Sequence, residues 1–293
     1  MQQGEMFMII CVVGPTGVGK TKLSISLAKK FNAIIVNADA MQVYKELNIG
    51  TAKIKEEEKE NIPHYLFDIC EVEDNYTVFD YQKDARKIIE ENYNKNIIFV
   101  GGTGLYLKSA LYDYKFNEET KAKNEYEGYT NEELYNLANE RDPNHNIHLN
   151  NRKRLIRFLN KEVTEIPKAT PLYDAIYIGL TTDRENLYKK INNRVDKMFE
   201  EGLLEEVRNL YDRNLRCKSI NTGIGYKELY KYFDNEISLE EAIDLIKKNS
   251  RHYAKRQYTF FNNQLPAKYF ETNYDDFSLT EKEVIEYIKD CVK

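Results

Sequence analysis

Short apolar runs that stop at glycine or at a polar residue alternate along the chain with stretches whose apolar positions recur at helical spacing. Phe7 to Val13 is continuously apolar and ends at a glycine-rich loop; the "KTKLSISLAKKF" that follows carries Leu23, Ile25, Leu27 and Ala28 as a helical stripe. The pattern predicts strand, loop, helix. Two more apolar runs, "AIIVNAD" and "NIIFVGG", flank a helical stretch over Val78 to Asn92. Fully apolar strands alternating with helices predict an α/β fold built on a parallel sheet. Ligands on such sheets sit beyond the carboxyl ends of the strands, so "GPTGVGKT", "NAD" and "GGTG" are expected to converge.

From Asp113 to His145 the chain turns polar and acidic, with few aliphatic residues. This predicts a small helical insertion lobe over 113–145, leaving 1–112 and 146–293 as the catalytic core. A basic helix, Arg152 to Lys161, and a strand, Ala175 to Leu180, are expected to return the chain to that core. The rest reads as helix: Arg184 to Asn214, Leu239 to Asn262, and Leu279 to Val292.

At 293 residues the chain has room for one large domain and a smaller appendage. Its formal charge of -5 argues against a nucleic-acid partner only until the clusters are considered. "RKRLIRFLNK" and "KKNSRHYAKR" each gather five Lys and Arg residues with no acid, and repulsion within such a helix is relieved by a phosphate partner. Cys11, Cys70, Cys217 and Cys291 are far apart, and His64, His145, His148 and His252 show no ligand spacing, so neither a zinc site nor a disulfide framework is indicated. A reducing cytoplasm is expected. "MFMIICVV" lacks the basic flank and cleavage site of a signal segment, and no apolar run reaches the ~18 residues that span a bilayer.

"GPTGVGKT" fits G-x-x-x-x-G-K-[ST]. The loop of Gly14, Pro15, Thr16, Gly17, Val18 and Gly19 would cradle a polyphosphate with the backbone N–H groups that all but proline possess, with Lys20 on its oxygens and Thr21 on Mg²⁺. The expected fold is therefore a P-loop NTPase-like parallel sheet flanked by helices, with a small helical insertion domain. Most such loops serve nucleoside triphosphates and are paired with a carboxylate at another strand end. Here "NIIFV" ends in Gly101-Gly102, and only "AIIVNAD" offers one, Asp39. Three roles stay open for it: a solvated loop carboxylate, a partner of Mg²⁺ through water, or a general base. Thr103 either caps the helix that follows or aims its hydroxyl into the site. On these residues alone a P-loop small-molecule kinase and a nucleotide-switched RNA-binding module stand as rival readings.

Eight stretches, "GPTGVGKT", "DAMQVYKELNIGTAK", "HYLFDI", "VGGTGLYL", "HLNNRKRLIR", "INNRVDKMFEEGLLEEV", "GIGYKEL" and "YAKRQYTFF", occur in an order that resembles the bacterial tRNA dimethylallyltransferase (isopentenyltransferase) family. The resemblance covers most of Ile9 to Phe261 and implies that the loop holds dimethylallyl diphosphate, whose diphosphate leaves as the prenyl group passes to the N6 amine of the adenosine 3′ of the anticodon. It implies catalytic roles for Asp39 and Thr103, and contact with the tRNA anticodon stem-loop through Asp39, Ala40, Met41, Gln42, Thr103, Lys153, Arg154, Leu155, Ile156, Arg157, Arg251, Lys255, Arg256 and Gln257. The insertion lobe would clasp the anticodon stem, Mg²⁺ is the implied cofactor, and a monomer is expected. The chain departs from the family pattern in several places: Ala40 replaces a common serine, Thr222 a common Arg or Gln, "TFF" with Asn262 a usual Thr-Trp-Phe-Arg, and the insert is short.

Overall fold

A computed structural model describes residues 7–115, 126–160 and 170–292. Lys161 of the expected basic helix and 116–125 of the expected lobe lie outside them. The larger of two compact units comprises 1–114 and 170–293. Its first strand, β1 (Ile9–Val13), is buried along its whole length. The glycine loop follows, and helix α1 (Lys20–Phe31) starts from Gly19 at φ 89°. β2 (Ala33–Asn37), the two-residue β3 (His64–Tyr65), α2 (Val78–Glu91), β4 (Asn96–Val100) and α3 (Gly104–Leu111) complete the first half. Thr77 opens α2 with a reciprocal cap, its hydroxyl accepting from the Asp80 N–H while the Asp80 carboxylate accepts from Thr77 N–H.

The second half of this unit is β5 (Ala175–Thr181), α6 (Arg184–Glu200), α7 (Leu203–Asp212), α8 (Lys218–Thr222), α9 (Tyr226–Phe233), α10 (Leu239–Gln264), β6 (Lys268–Glu271) and α11 (Phe277–Cys291). The six strands run in the order β3-β2-β4-β1-β5-β6, and all pairs are parallel. The expected α/β class and parallel sheet are therefore observed, with all strand C-termini on one edge. Leu23, Leu27 and Ala28 of α1 pack with Ile10, Val12, Ile98 and Ile178 from three neighbouring strands. A second cluster, around Leu203, Val207, Tyr226 and Leu229, binds the later helices to the segment after β2.

Two sequence expectations change, and two strands are found that none announced. The helix expected over 184–214 is two, because Gly202 adopts φ 101° and turns the chain between α6 and α7. β3 and β6 are too short to leave a periodic signal. The smaller unit spans Lys115–Ala169 rather than 113–145, and takes the basic helix with it. Described by itself, it pairs helix αA (Asn131–Arg141) with helix αB (Arg152–Leu159) around Leu134, Ala138, Ile147 and Leu155. Leu155 supplies the apolar contact that α-helical stripe needs, so αB packs in the lobe. Among the described residues no helix is long and apolar enough to cross a membrane.

Candidate active site

The strand ends converge as expected. One cavity of about 1400 Å³ is lined by Gly17, Gly19, Lys20, Thr21, Asp39 and Gly102, among others. Gly14 and Gly19 have φ of 141° and 89°, and a Cβ would lie 2.6 Å from Leu180 O and 2.7 Å from the Phe277 ring respectively, so the loop backbone needs glycine at both. Lys20 Nζ donates to the Pro15 carbonyl at 2.7 Å, curling back over the loop. Burial pushes its ammonium down to about 7, with Arg194 adding to the effect and Asp39 opposing it.

Asp39 is fixed by the strand it follows. The fully buried Asn37 side chain accepts from the Asp39 N–H at 2.9 Å and donates to Asp39 O and Leu66 O. Asp39 Oδ1 accepts from Met41 N–H at 3.0 Å, which leaves Oδ2 on the side facing Gly102. A Cβ on Gly101 would stand 2.2 Å from Ala38 O, so glycine there lets β4's end close onto this turn. Thr103 does not cap α3; its Oγ accepts from Ala40 N–H at 3.0 Å, tying the two strand-end loops together. Ala40 thus meets the Thr103 hydroxyl through its backbone N–H, without need of a side chain at 40.

Arg194 of α6, which carries no expected role, lines the same cavity and feels both Lys20 and Asp39. Its Nη2 donates to Thr51 O at 3.4 Å, and Gln42 Nε2 donates to the same carbonyl at 3.0 Å. Leu187, Ile191, Val195 and Met198 are buried on α6, so the signal available in sequence is a cation set into an apolar stripe. Glu206 fastens the adjoining loop: its carboxylate accepts from the N–H groups of Asn48, Ile49 and Gly50 and from Tyr226 OH, at 2.7 to 3.1 Å. That bonding joins "ELNIGTAK", "EEGLLEEV" and "GIGYKEL" in space.

Two expected contact residues are engaged elsewhere. Gln257 is 4% exposed; its Oε1 accepts from Thr16 N–H at 3.1 Å and its Nε2 donates to Gly102 O at 3.0 Å, so it pins α10 between two strand-end loops while still lining the cavity. Leu155 is closed inside the lobe. Val18 likewise turns its side chain into the core, contributing only backbone to the loop. Met41, Gln42 and Arg256 line the cavity, whereas Lys255 is exposed and Arg251 donates to Asn192 Oδ1 at 2.6 Å. In the lobe, Lys153, Arg154 and Arg157 are exposed and Ile156 is half-buried, while Arg152 donates to the carbonyls of Tyr126, Glu127 and Tyr129.

The donor set suits magnesium. Thr21 supplies a hydroxyl and Asp39 a carboxylate to one cavity, and a bound diphosphate would bring further hard oxygens.

The profile of the family described as IPP transferase matches residues 42–264. The chain is 46% identical to the tRNA dimethylallyltransferase of Anoxybacillus flavithermus and 44% identical to that of Bacillus subtilis, with 96% of each chain covered in both cases. Among solved structures it is similar to a tRNA isopentenylpyrophosphate transferase from Bacillus halodurans, at TM-score 0.76 and 39% identity over 97% of this chain and 96% of that one. It is also similar to a eukaryotic dimethylallyltransferase described as acting on tRNA, at TM-score 0.79 and 26% identity, covering 97% of this chain and 80% of that one.

Proposed function

The chain belongs to the IPP transferase family, and from that premise we propose that it transfers a dimethylallyl group from dimethylallyl diphosphate to adenine N6 in a tRNA anticodon loop. The observation that carries this reading is one cavity whose lining brings the phosphate loop, Lys20 and Arg194 together with Asp39, a carboxylate anchored at the end of a neighbouring strand. A phosphate loop by itself suits a kinase equally well. Relatives sharing almost the full length are transferases of the prenyl group, and nothing in the comparisons favours the kinase alternative.

The chemistry follows from the residues. Adenine N6 is a weak nucleophile because its lone pair is delocalised into the ring, so its proton must leave as the N–C bond forms. Asp39 Oδ2 is the acceptor for that proton, its partner Oδ1 being held by Met41. The breaking C–O bond sheds charge onto the diphosphate, and loop N–H groups, Lys20 and Arg194 bind that charge more strongly than the ester it replaces. Magnesium, held by Thr21, would add positive charge to the same leaving group. Reaching N6 requires the adenine to swing out of its stack, and the roomy cavity mouth with Met41, Gln42 and Arg256 on its walls is where it would enter.

Lys153, Arg154 and Arg157 are the lobe cations that would contact RNA phosphates. Arg154→Ala with Arg157→Ala is expected to weaken tRNA binding and flatten its salt dependence by up to about one unit of log-log slope per lost contact. Affinity for the prenyl donor should not change. Titrations at several salt concentrations check this, and an unchanged slope would return the helix to an ordinary solvated face. The transfer itself is tested by incubating the protein with magnesium, dimethylallyl diphosphate and an unmodified anticodon stem-loop. Release of diphosphate with one five-carbon unit gained by the RNA is expected; RNA of unchanged mass would remove the reading.

A further inference from the structure

The segment after residue 264 lies beyond the family match and carries no motif, yet it touches the phosphate loop at three places. Thr272, 5% exposed at the end of β6, donates its hydroxyl to Val18 O at 2.9 Å. Tyr274 OH donates to Gly17 O at 3.2 Å, and Lys190 Nζ lies over the Tyr274 ring, 4.3 Å from its centroid. Phe277, the first residue of α11, fills the space a Cβ on Gly19 would need, and Lys22 sits over its ring at 4.7 Å.

The two bonds to carbonyls have a directional consequence. In a trans peptide the C=O and the N–H of the next residue point opposite ways. Holding Gly17 O and Val18 O toward the C-terminal segment therefore turns the N–H groups of Val18 and Gly19 away from it, toward the cavity that Gly17 and Gly19 line. The segment is itself stiffened: Thr272 N–H donates to Thr181 O at 2.8 Å, and Asn273 N–H to Thr280 Oγ at 2.9 Å. The loop's glycines make it pliable, and external struts decide where its donors aim.

We infer that Thr272 and Tyr274 are positioning residues that preorganise the phosphate loop for a diphosphate, acting through the Gly17 and Val18 carbonyls. The inference rests on the prenyl-diphosphate reading of the loop, but its test does not require transfer. Calorimetric binding of inorganic diphosphate with magnesium is compared for the wild type, Tyr274→Phe, Thr272→Val and Thr272→Ser. Loss of one such bond should weaken diphosphate binding about three- to tenfold in Tyr274→Phe and in Thr272→Val. Thr272→Ser, which keeps the hydroxyl, should bind as the wild type does. In turnover, KM for the prenyl donor should rise while KM for RNA holds.

Thermal midpoints taken alongside separate loop positioning from loss of fold, and Tyr274→Phe decides the matter if Thr272→Val does not fold. Undiminished diphosphate binding in Tyr274→Phe would overturn the inference while leaving the proposed transfer intact. A wild type that binds diphosphate but prenylates no RNA would do the opposite, since the comparison of variants would still stand.

Discussion

Asp39→Asn is expected to slow prenyl transfer by about 10² to 10⁴ while dimethylallyl diphosphate binds as before. Asparagine preserves the geometry: its carbonyl can still accept from Met41 N–H, and the Asn37 contacts run through the backbone of residue 39. What it removes is the capacity to take the amine proton at the oxygen that faces Gly102. Single-turnover kinetics with saturating donor measures the step directly. Near-normal turnover would reassign Asp39 to a purely structural or electrostatic role.

Lys20→Ala is expected to reduce transfer by about 10² to 10³, comparable with the loss of one donor to a developing anion. Its effect should fall on the chemical step more than on donor affinity, because the charge it meets grows as the diphosphate departs. The wild type should also show a protonic signature that the variant lacks. The free protein holds Lys20 at about 7, so at pH 8 the amine is mostly neutral; a diphosphate beside it favours the charged form and draws a proton on. Donor binding at pH 8 should therefore take up close to one proton, and affinity should be full below pH 7 and fall as pH rises above it. Calorimetry in two buffers of different ionisation enthalpy reads the uptake. Identical uptake in Lys20→Ala would assign the proton to another group.

The parts of the site that the sequence exposed are those whose chemistry depends on local order. Glycine spacing marked the phosphate loop, and strands buried on both faces marked where Asp39, Gly102 and Thr103 would meet. Groups that act across the fold left little local trace. Arg194 belongs to an amphipathic helix and reads as one more surface cation until the register of Ile191, Val195 and Met198 is followed. Asn37 is the last residue of a strand, and its three bonds to neighbouring backbone are visible only once the turn is built.

Gln257 sits in the midst of "YAKRQYTFF", among cations, which suggests RNA; its bonds to two strand-end loops are visible only once α10 is placed beside them. The lobe boundary differs because charge marks the basic helix as a surface feature, whereas its apolar side, Leu155 with Ile156, Phe158 and Leu159, packs on the lobe's own cluster. Thr272 and Tyr274 bond to carbonyls, which every residue possesses, so no pattern of side chains announces them.

The most direct measurement of the central claim uses two anticodon stem-loops that differ only at the target position, adenosine in one and guanosine in the other. Each is incubated with the protein, magnesium and dimethylallyl diphosphate, with and without ATP, and weighed by mass spectrometry. Guanine presents O6 where adenine presents its amine. The account predicts one added five-carbon unit on the adenosine RNA, none on the guanosine RNA, diphosphate released in equal amount, and no dependence on ATP. ATP turnover with neither RNA gaining mass would contradict it.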